Sequence, residues 1–500
     1  MATKRRKPTK KKSAKKAKKK ASKKKPARKK VKKKPAKKKS ARKSAKKKAA
    51  KKKAAKKKSA RKPPKKKAGK KNSAAKKATA TKPSSGIATV AGIIRTHAKN
   101  LSGKVSLVQG DRVQTWQELY KRSSQVAQAL KAAGVGSQDR VAFLDKNSIE
   151  HFEVFYGCAL LNAVSVDINF RLAAPEVAFI VNDAQAKVFV VGPDFVPVLD
   201  AIVGDLKFTK KIVVIGGHPT HESYESWVSR YQPIDPGTDS TPHDVAFQLY
   251  SSGTTGRPKG VMLTNDNFLG ILPSARDLWG MNEHAVNLVA MPLFHIGGSG
   301  WATAGQYNGC KSIILRDTTD IGGMVKMITQ HRITHAFMVP ALLAFTLMVP
   351  DIDKADFSSL KLIAYGASPI SEQVLAASLK TFKCSFVQVY GLTETTGVVT
   401  MLMHEDHDVD GPKKHLLRSC GKPSMGVELK IVDEQGKEVP AGEVGEIIIR
   451  SRQVMKGYWN MPQETAKSIR NGWFYTGDAG YKDKEGYVYI DRKSTRLNSS

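Results

Sequence analysis

Residues 250–265 read YSSGTTGRPKGVMLTN, directly after the largely apolar run VAFQL at 245–249. The stretch gathers hydroxyls, the glycines Gly253, Gly256 and Gly260, and the cations Arg257 and Lys259 into one short loop. Glycine lets a backbone take positive φ and approach a ligand closely. Successive N–H groups and Ser/Thr hydroxyls can then cradle phosphate oxygens, and the two cations add charge. A flexible linker is the plain alternative, but linkers seldom sit between a strand-like run and VMLTN. A Walker loop fails on spacing, because Lys259 follows Pro258 and precedes Gly260 rather than sitting in Gly-Lys-Ser/Thr. A phosphate-binding loop is expected.

Outward from it, helix-like and strand-like segments alternate. TWQELYKRSSQVAQALKAAG (115–134) has helical spacing at Leu119, Val126 and Leu130, with Gly134 as its stop. RVAFLD (140–145) reads as a short buried strand, 149–161 as a helix and AVSVDIN (163–169) as a strand. PEVAFIVNDA (175–184) opens a helix with proline, and KVFVVG (187–192) is strand again. After Asp244 the rhythm resumes, with strands in SIILRD (312–317), HAFMVP (335–340) and KLIAYG (361–366). Such alternation implies a parallel sheet covered on both faces. From about Leu417 short β segments take over, such as VELKIVD and GEVGEIIIR, so a smaller antiparallel sheet or barrel should follow.

The net charge of +45 would suggest a nucleic-acid binder, but its distribution divides the chain. Residues 1–82 hold 45 Lys/Arg and no acid, while the remainder has 42 basic and 42 acidic residues. Segment 1–85 is low-complexity, with almost nothing to bury, and is expected to be disordered. It resembles the Lys/Ala-rich tails of linker histones, which implies DNA or RNA binding by counterion release; an anionic membrane surface is the alternative. A solvated tail without a role, or a wrongly fused reading frame, is the plain reading. Against the second, the first methionine after Met1 is Met262, so no internal start would give the intact body. Cys158, Cys310, Cys384 and Cys420 form no CxxC pair, which argues against disulfides or zinc and fits a reducing compartment. No run reaches the ~18 apolar residues of a spanning helix, so the expected location is cytoplasmic.

Further motifs follow the phosphate loop in order: PLFHIGG (292–298), YGASPI (365–370), VYGLTETTG (389–397), GEVGEIIIR (442–450), GYW (457–459) and WFYTGD (473–478). Together they resemble the acyl-adenylate-forming superfamily, the acyl-CoA synthetases and their relatives. The resemblance covers residues 86–490 and implies an α/β fold, the large N-terminal domain of such an enzyme. Two stacked α/β subdomains would occupy 86–416 and a small β-barrel 417–490. It also implies ATP, Mg²⁺ and coenzyme A, with a carboxylic acid activated to acyl-adenylate and then acyl-CoA. Ser251, Thr254, Thr255, Gly256 and Lys259 would hold the β- and γ-phosphates. Thr393 would contact the α-phosphate, and Glu394 would bind Mg²⁺, which wants oxygen ligands. Tyr390 would lie against adenine, Gly366, Ala367 and Ser368 would form the adenine-edge loop, and Gly391 would leave room for the carboxylate. Asp478 and Arg492 would meet the ribose, and His295 would gate the acyl pocket or orient the acid. The plain readings are a helix cap for Thr393–Glu394, a Gly-Asp turn for Asp478 and a packed core residue for His295.

The acyl pocket would be lined by GGSGWATAGQYNG (297–309) and by residues 395–401. Neither holds an acidic residue, which disfavours an amino-acid substrate. Val398, Val399 and Met401 favour a fatty acid of medium or long chain, with feruloyl-like aryl acids second. The family's small domain, with its catalytic lysine and thiol site, is expected to be missing. Ser494 stands where a hinge Lys or Asp belongs, and 491–500 (DRKSTRLNSS) reads as non-native, adapter-derived sequence. An impaired acid–thiol ligase is therefore expected. The rivals are an enzyme loading a carrier-protein thiol and a nucleic-acid-binding protein with an inactive adenylation fold.

Overall fold

A computed structural model describes residues 86–252 and 257–491; the polycationic segment, Thr254, Thr255, Gly256 and Arg492 lie outside the described residues. Two large sheets dominate. In the first, strands Val245–Ser252, Val164–Asp167, Arg140–Leu144, Val188–Val191, Lys211–Val214 and Glu222–Ser223 run parallel, in that spatial order. Strands Pro258–Thr264 and Gly457–Tyr458 extend it antiparallel. The second has nine strands, and its parallel centre includes Ser385–Tyr390, Leu362–Gly366, His335–Met338 and Val286–Val289. A five-stranded antiparallel sheet, begun by Glu428–Val432 and Gly445–Arg450, follows.

Central strands such as VSVD, VFVV and KIVV are short and Val/Ile-rich, as strands covered on both faces tend to be. Helix Trp116–Ala132 begins at a reciprocal cap: Glu118 N–H donates to Thr115 Oγ1, and Thr115 N–H donates back to the Glu118 carboxylate at 2.8 Å. Helix Ile149–Leu160 is buried at every residue and packs against strands of both large sheets. Its charged groups are accordingly paired, since an unpaired buried charge is costly. Glu153 accepts from Arg122 and from the Tyr224 hydroxyl, and His151 meets Asp167. Among the described residues no helix is long and apolar enough to cross a membrane.

The carboxyl ends of the parallel strands form a crevice, the usual ligand position in such sheets. Behind it, the Tyr365 hydroxyl and His407 Nε2 lie 3.0 Å apart, and His407 Nδ1 reaches the Met403 carbonyl at 2.8 Å. Burial pushes the His407 pKa down to about 4, because the charged ring would lose its hydration there. The native state then binds fewer protons than the unfolded chain, so this contribution is complete above pH 6.5 and fades as pH falls toward 4. At 1.36 kcal/mol per pKa unit it amounts to about 3 kcal/mol. Denaturant titrations of wild type and His407→Gln between pH 7 and 4 should show their stability difference shrinking by that order.

Candidate active site

The phosphate-loop sequence is not one loop. Strand Val245–Ser252 pairs antiparallel with Pro258–Thr264, so Tyr250, Ser251, Ser252, Pro258 and Lys259 are strand residues. Ser251 and Lys259 sit directly opposite one another, and opposed residues share a sheet face. Both line a cleft of about 860 Å³ together with Thr393, Glu394 and Asp478. The Ser251 hydroxyl and the Tyr458 hydroxyl each donate to Glu394 Oε1 at 3.1 Å. Lys259 is 8% exposed. Its ammonium lies 3.0 Å from Glu464 Oε2 and 5.0 Å from the centre of the Tyr458 ring. Lys467 holds the other Glu464 oxygen at 2.8 Å, and the two lysines pull that carboxyl down to about 2. Glu464 remains open to solvent, so screening keeps the stabilising effect of these pairs small.

Thr393 and Glu394 stand on one 3₁₀ turn, Thr393–Thr395, after strand Ser385–Tyr390. Thr395 supplies the local cap, accepting from Leu392 N–H at 2.9 Å. Thr393 is therefore left to face the cleft. Gly391 is a steric necessity: a Cβ there would sit 1.4 Å from the Gly397 carbonyl oxygen. At Gly366 a Cβ would meet the Val389 carbonyl oxygen at 2.1 Å, which pins the strand end before Ala367 (φ 63°).

Ala367, Ser368, Tyr390, Gly391 and Asp478 line a second cleft of about 1020 Å³, which shares Leu392 and Asp478 with the first. The Tyr390 hydroxyl donates to Asp478 Oδ2 at 2.7 Å. Burial nevertheless pushes the Asp478 carboxyl above its ordinary pKa. His295 is the N-cap of helix Ile296–Tyr307, its Nδ1 accepting from Gly297 N–H at 3.1 Å. The neutral ring thus carries its proton on Nε2. Desolvation, with Arg171 adding repulsion, lowers its pKa and keeps it neutral. His295 borders the phosphate cleft, a groove of about 680 Å³ and a narrow apolar cavity of about 80 Å³.

Gly297, Thr396, Gly397 and Val398 border that cavity, whereas Val399 and Met401 do not. Side chains alternate along extended backbone, so Val399 turns into the core beneath the antiparallel sheet, with Ile431 and Ile447. Tyr458 and Glu464 were missed by sequence reasoning, as were Phe268, Trp279 and Phe337. The GYW motif was the one available signal for Tyr458.

A model of the AMP-binding enzyme family matches residues 94–459. The chain belongs to that family. A fatty acid–[acyl-carrier-protein] ligase of Streptomyces coeruleorubidus is 37% identical over 401 residues, covering 79% of this chain and 75% of that protein. The long-chain-fatty-acid–CoA ligase FadD13 of Mycobacterium tuberculosis is 32% identical over 380 residues, covering 75% and 72%. Among solved structures, the inhibitor-bound N-terminal domain of FACL13 from Mycobacterium tuberculosis matches with a TM-score of 0.75 at 30% identity, covering 81% of this chain and 99% of that one.

The close backbone approach at Gly391 makes Gly391→Ala informative. Its methyl group collides with backbone rather than with a movable side chain, so a loss of at least about 2 kcal/mol is expected. Denaturant unfolding of the variant beside wild type measures it.

Proposed function

We propose that this AMP-binding enzyme is an acid–thiol ligase that activates a carboxylic acid with an apolar tail, of the fatty or aryl class. One observation carries the reading: His295 and Gly391, which line the polar clefts holding Lys259, Glu394 and Asp478, also line a narrow apolar cavity. A carboxylate at that junction has its tail among apolar side chains and its oxygens toward the nucleotide. One carboxylate oxygen attacks the α-phosphorus of ATP, the bond from that phosphorus to the bridging oxygen breaks, and pyrophosphate leaves. The thiol sulfur of coenzyme A then attacks the acyl carbon, the bond from that carbon to the phosphate oxygen breaks, AMP departs and the thiol proton is released to solvent.

Positioning and charge neutralisation supply most of the rate in such displacements. Ser251 and Lys259 receive the outer phosphates, joined by Thr254, Thr255 and Gly256. Lys259 must exchange Glu464 for phosphate oxygen. Thr393 meets the α-phosphate, Tyr390 flanks adenine beside Ala367 and Ser368, and Asp478 accepts the ribose hydroxyls, with Arg492 beyond it. His295 offers its Nε2 proton to the acid or the phosphate. Magnesium binds through one or two carboxylates plus substrate phosphates. Glu394 fits that role: its Oε1 accepts two hydroxyls, while its Oε2 has no hydrogen bond among the described residues. Bound there, the ion would offset the triphosphate charge.

Acid-dependent ATP–pyrophosphate exchange tests this reading. Glu394→Gln should lower the rate by roughly 10²-fold or more, the scale seen when one preorganised electrostatic group is removed. An unchanged rate would overturn the assignment. A carrier-protein thiol is the second acceptor to try, supported by the likeness to the Streptomyces ligase. The charge of residues 1–82 supports a nucleic-acid partner for that segment. Gel-shift affinity should fall steeply with salt and vanish when residues 1–85 are removed.

A further inference from the structure

Segment 451–459 leads from strand Gly445–Arg450 to strand Gly457–Tyr458, and on the way it holds Glu394 twice. The Met455 N–H donates to the Glu394 carbonyl at 2.8 Å, and the Tyr458 hydroxyl donates to its carboxylate. The Asn267 amide donates to the Arg452 and Val454 carbonyls, at 2.8 Å each, and ties the segment to the sheet that carries Lys259. Gln453 lies inside this strap, 1% exposed. Its Nε2 donates to the Val398 carbonyl at 2.8 Å, and its own backbone carbonyl accepts the Thr396 hydroxyl at 2.7 Å. Only glycine leaves room for the Gln453 stem at position 270, where a Cβ would come within 2.3 Å of its Cγ. Thr396 itself stands at φ 53° and ψ 35°, directly after the turn that carries Glu394. A β-branched residue is rarely found in that region. It persists there only where its surroundings over-determine it, and such residues cluster at ligand sites. The bonds from Gln453 and Met455 to residues 394–398 do so here.

We propose that Gln453 is a positioning residue for magnesium-bound triphosphate, acting through Thr396 on Glu394. Glu394 has its Oε1 taken by Ser251 and Tyr458, so metal binding depends on where Oε2 points. That direction follows the turn, and Gln453 holds the turn in its strained conformation. Magnesium demands near-ideal octahedral geometry, so even a small relaxation of the turn weakens its grip. The proposal rests on the assignment of Glu394 to the metal made above.

The test is calorimetric binding of ATP and of AMP to the full chain, with magnesium present and with it chelated. The cations of residues 1–82 are common to every variant, so differences between variants report the crevice. Wild type should bind ATP more tightly with magnesium than without it. Gln453→Met keeps the length of the side chain and loses the bond to Val398. It should lose roughly three- to tenfold of the magnesium-dependent gain, the scale of one hydrogen bond. Its affinities for AMP and for metal-free ATP should stay at the wild-type values. Thr396→Ala should behave in the same way, and it keeps the test decisive if Gln453→Met fails to fold. Thr396→Ser retains the hydroxyl and should retain the full gain. A wild-type magnesium gain in both Gln453→Met and Thr396→Ala would overturn the proposal. So would a loss of AMP and ATP affinity in equal proportion, which marks a purely structural role. If wild-type ATP affinity ignores magnesium, the assignment of Glu394 to the metal falls, and the proposal with it.

Discussion

Two sheets that share no strand meet at one carboxylate. Ser251 and Tyr458 belong to the sheet that carries the phosphate hairpin, and both donate to Glu394, which stands just past a strand of the other sheet. Hydrogen bonds to a charged group are worth about 1.5–3 kcal/mol each, so this carboxylate is a strong point of the seam between the sheets. The local geometry follows from it. Glu394 can reach both hydroxyls only if the chain turns sharply after Tyr390. That turn brings the Gly397 carbonyl onto Gly391, where only glycine fits.

Behind the seam, helix Ile149–Leu160 sets the distance between the sheets. A helix buried on all sides normally carries apolar residues alone, yet this one contains Glu150, His151 and Glu153. Their partners come from different parts of the chain: Arg112, Asp167, and Arg122 with Tyr224. Buried charges satisfied this specifically fix one packing arrangement, because any sliding of the helix would leave a charge unpaired. The crevice inherits that rigidity.

Much of the architecture was legible because short β-branched runs between helical segments have few alternatives. RVAFLD, KVFVVG and KLIAYG each contain the strand expected of them. The phosphate hairpin was read as a loop, since Gly, Ser and Thr mask extended backbone and the pairing of Ser251 with Lys259 depends on VMLT returning along VAFQL. Val399 packs instead into the core with Ile431 and Ile447, a long-range contact that nothing local in the sequence reports. Glu464 looks like an ordinary acid in the first turn of helix Pro462–Ser468. Its meeting with Lys259 joins residues 205 positions apart. Trp279 and Phe337 join the cavity wall by equally distant packing, which periodicity cannot report.

The pairing of Lys259 with Glu464 also bears on how a nucleotide is captured. A bare ammonium at the back of a cleft would draw in any polyanion, and association would be fast and strongly salt-dependent. Here the ammonium already has a carboxylate partner before the ligand arrives, one that it shares with Lys467. Discrimination then moves from encounter to displacement: a ligand must place phosphate oxygen where Glu464 now stands. A triphosphate correctly seated in the crevice can do so, whereas an anion loosely held at the mouth cannot.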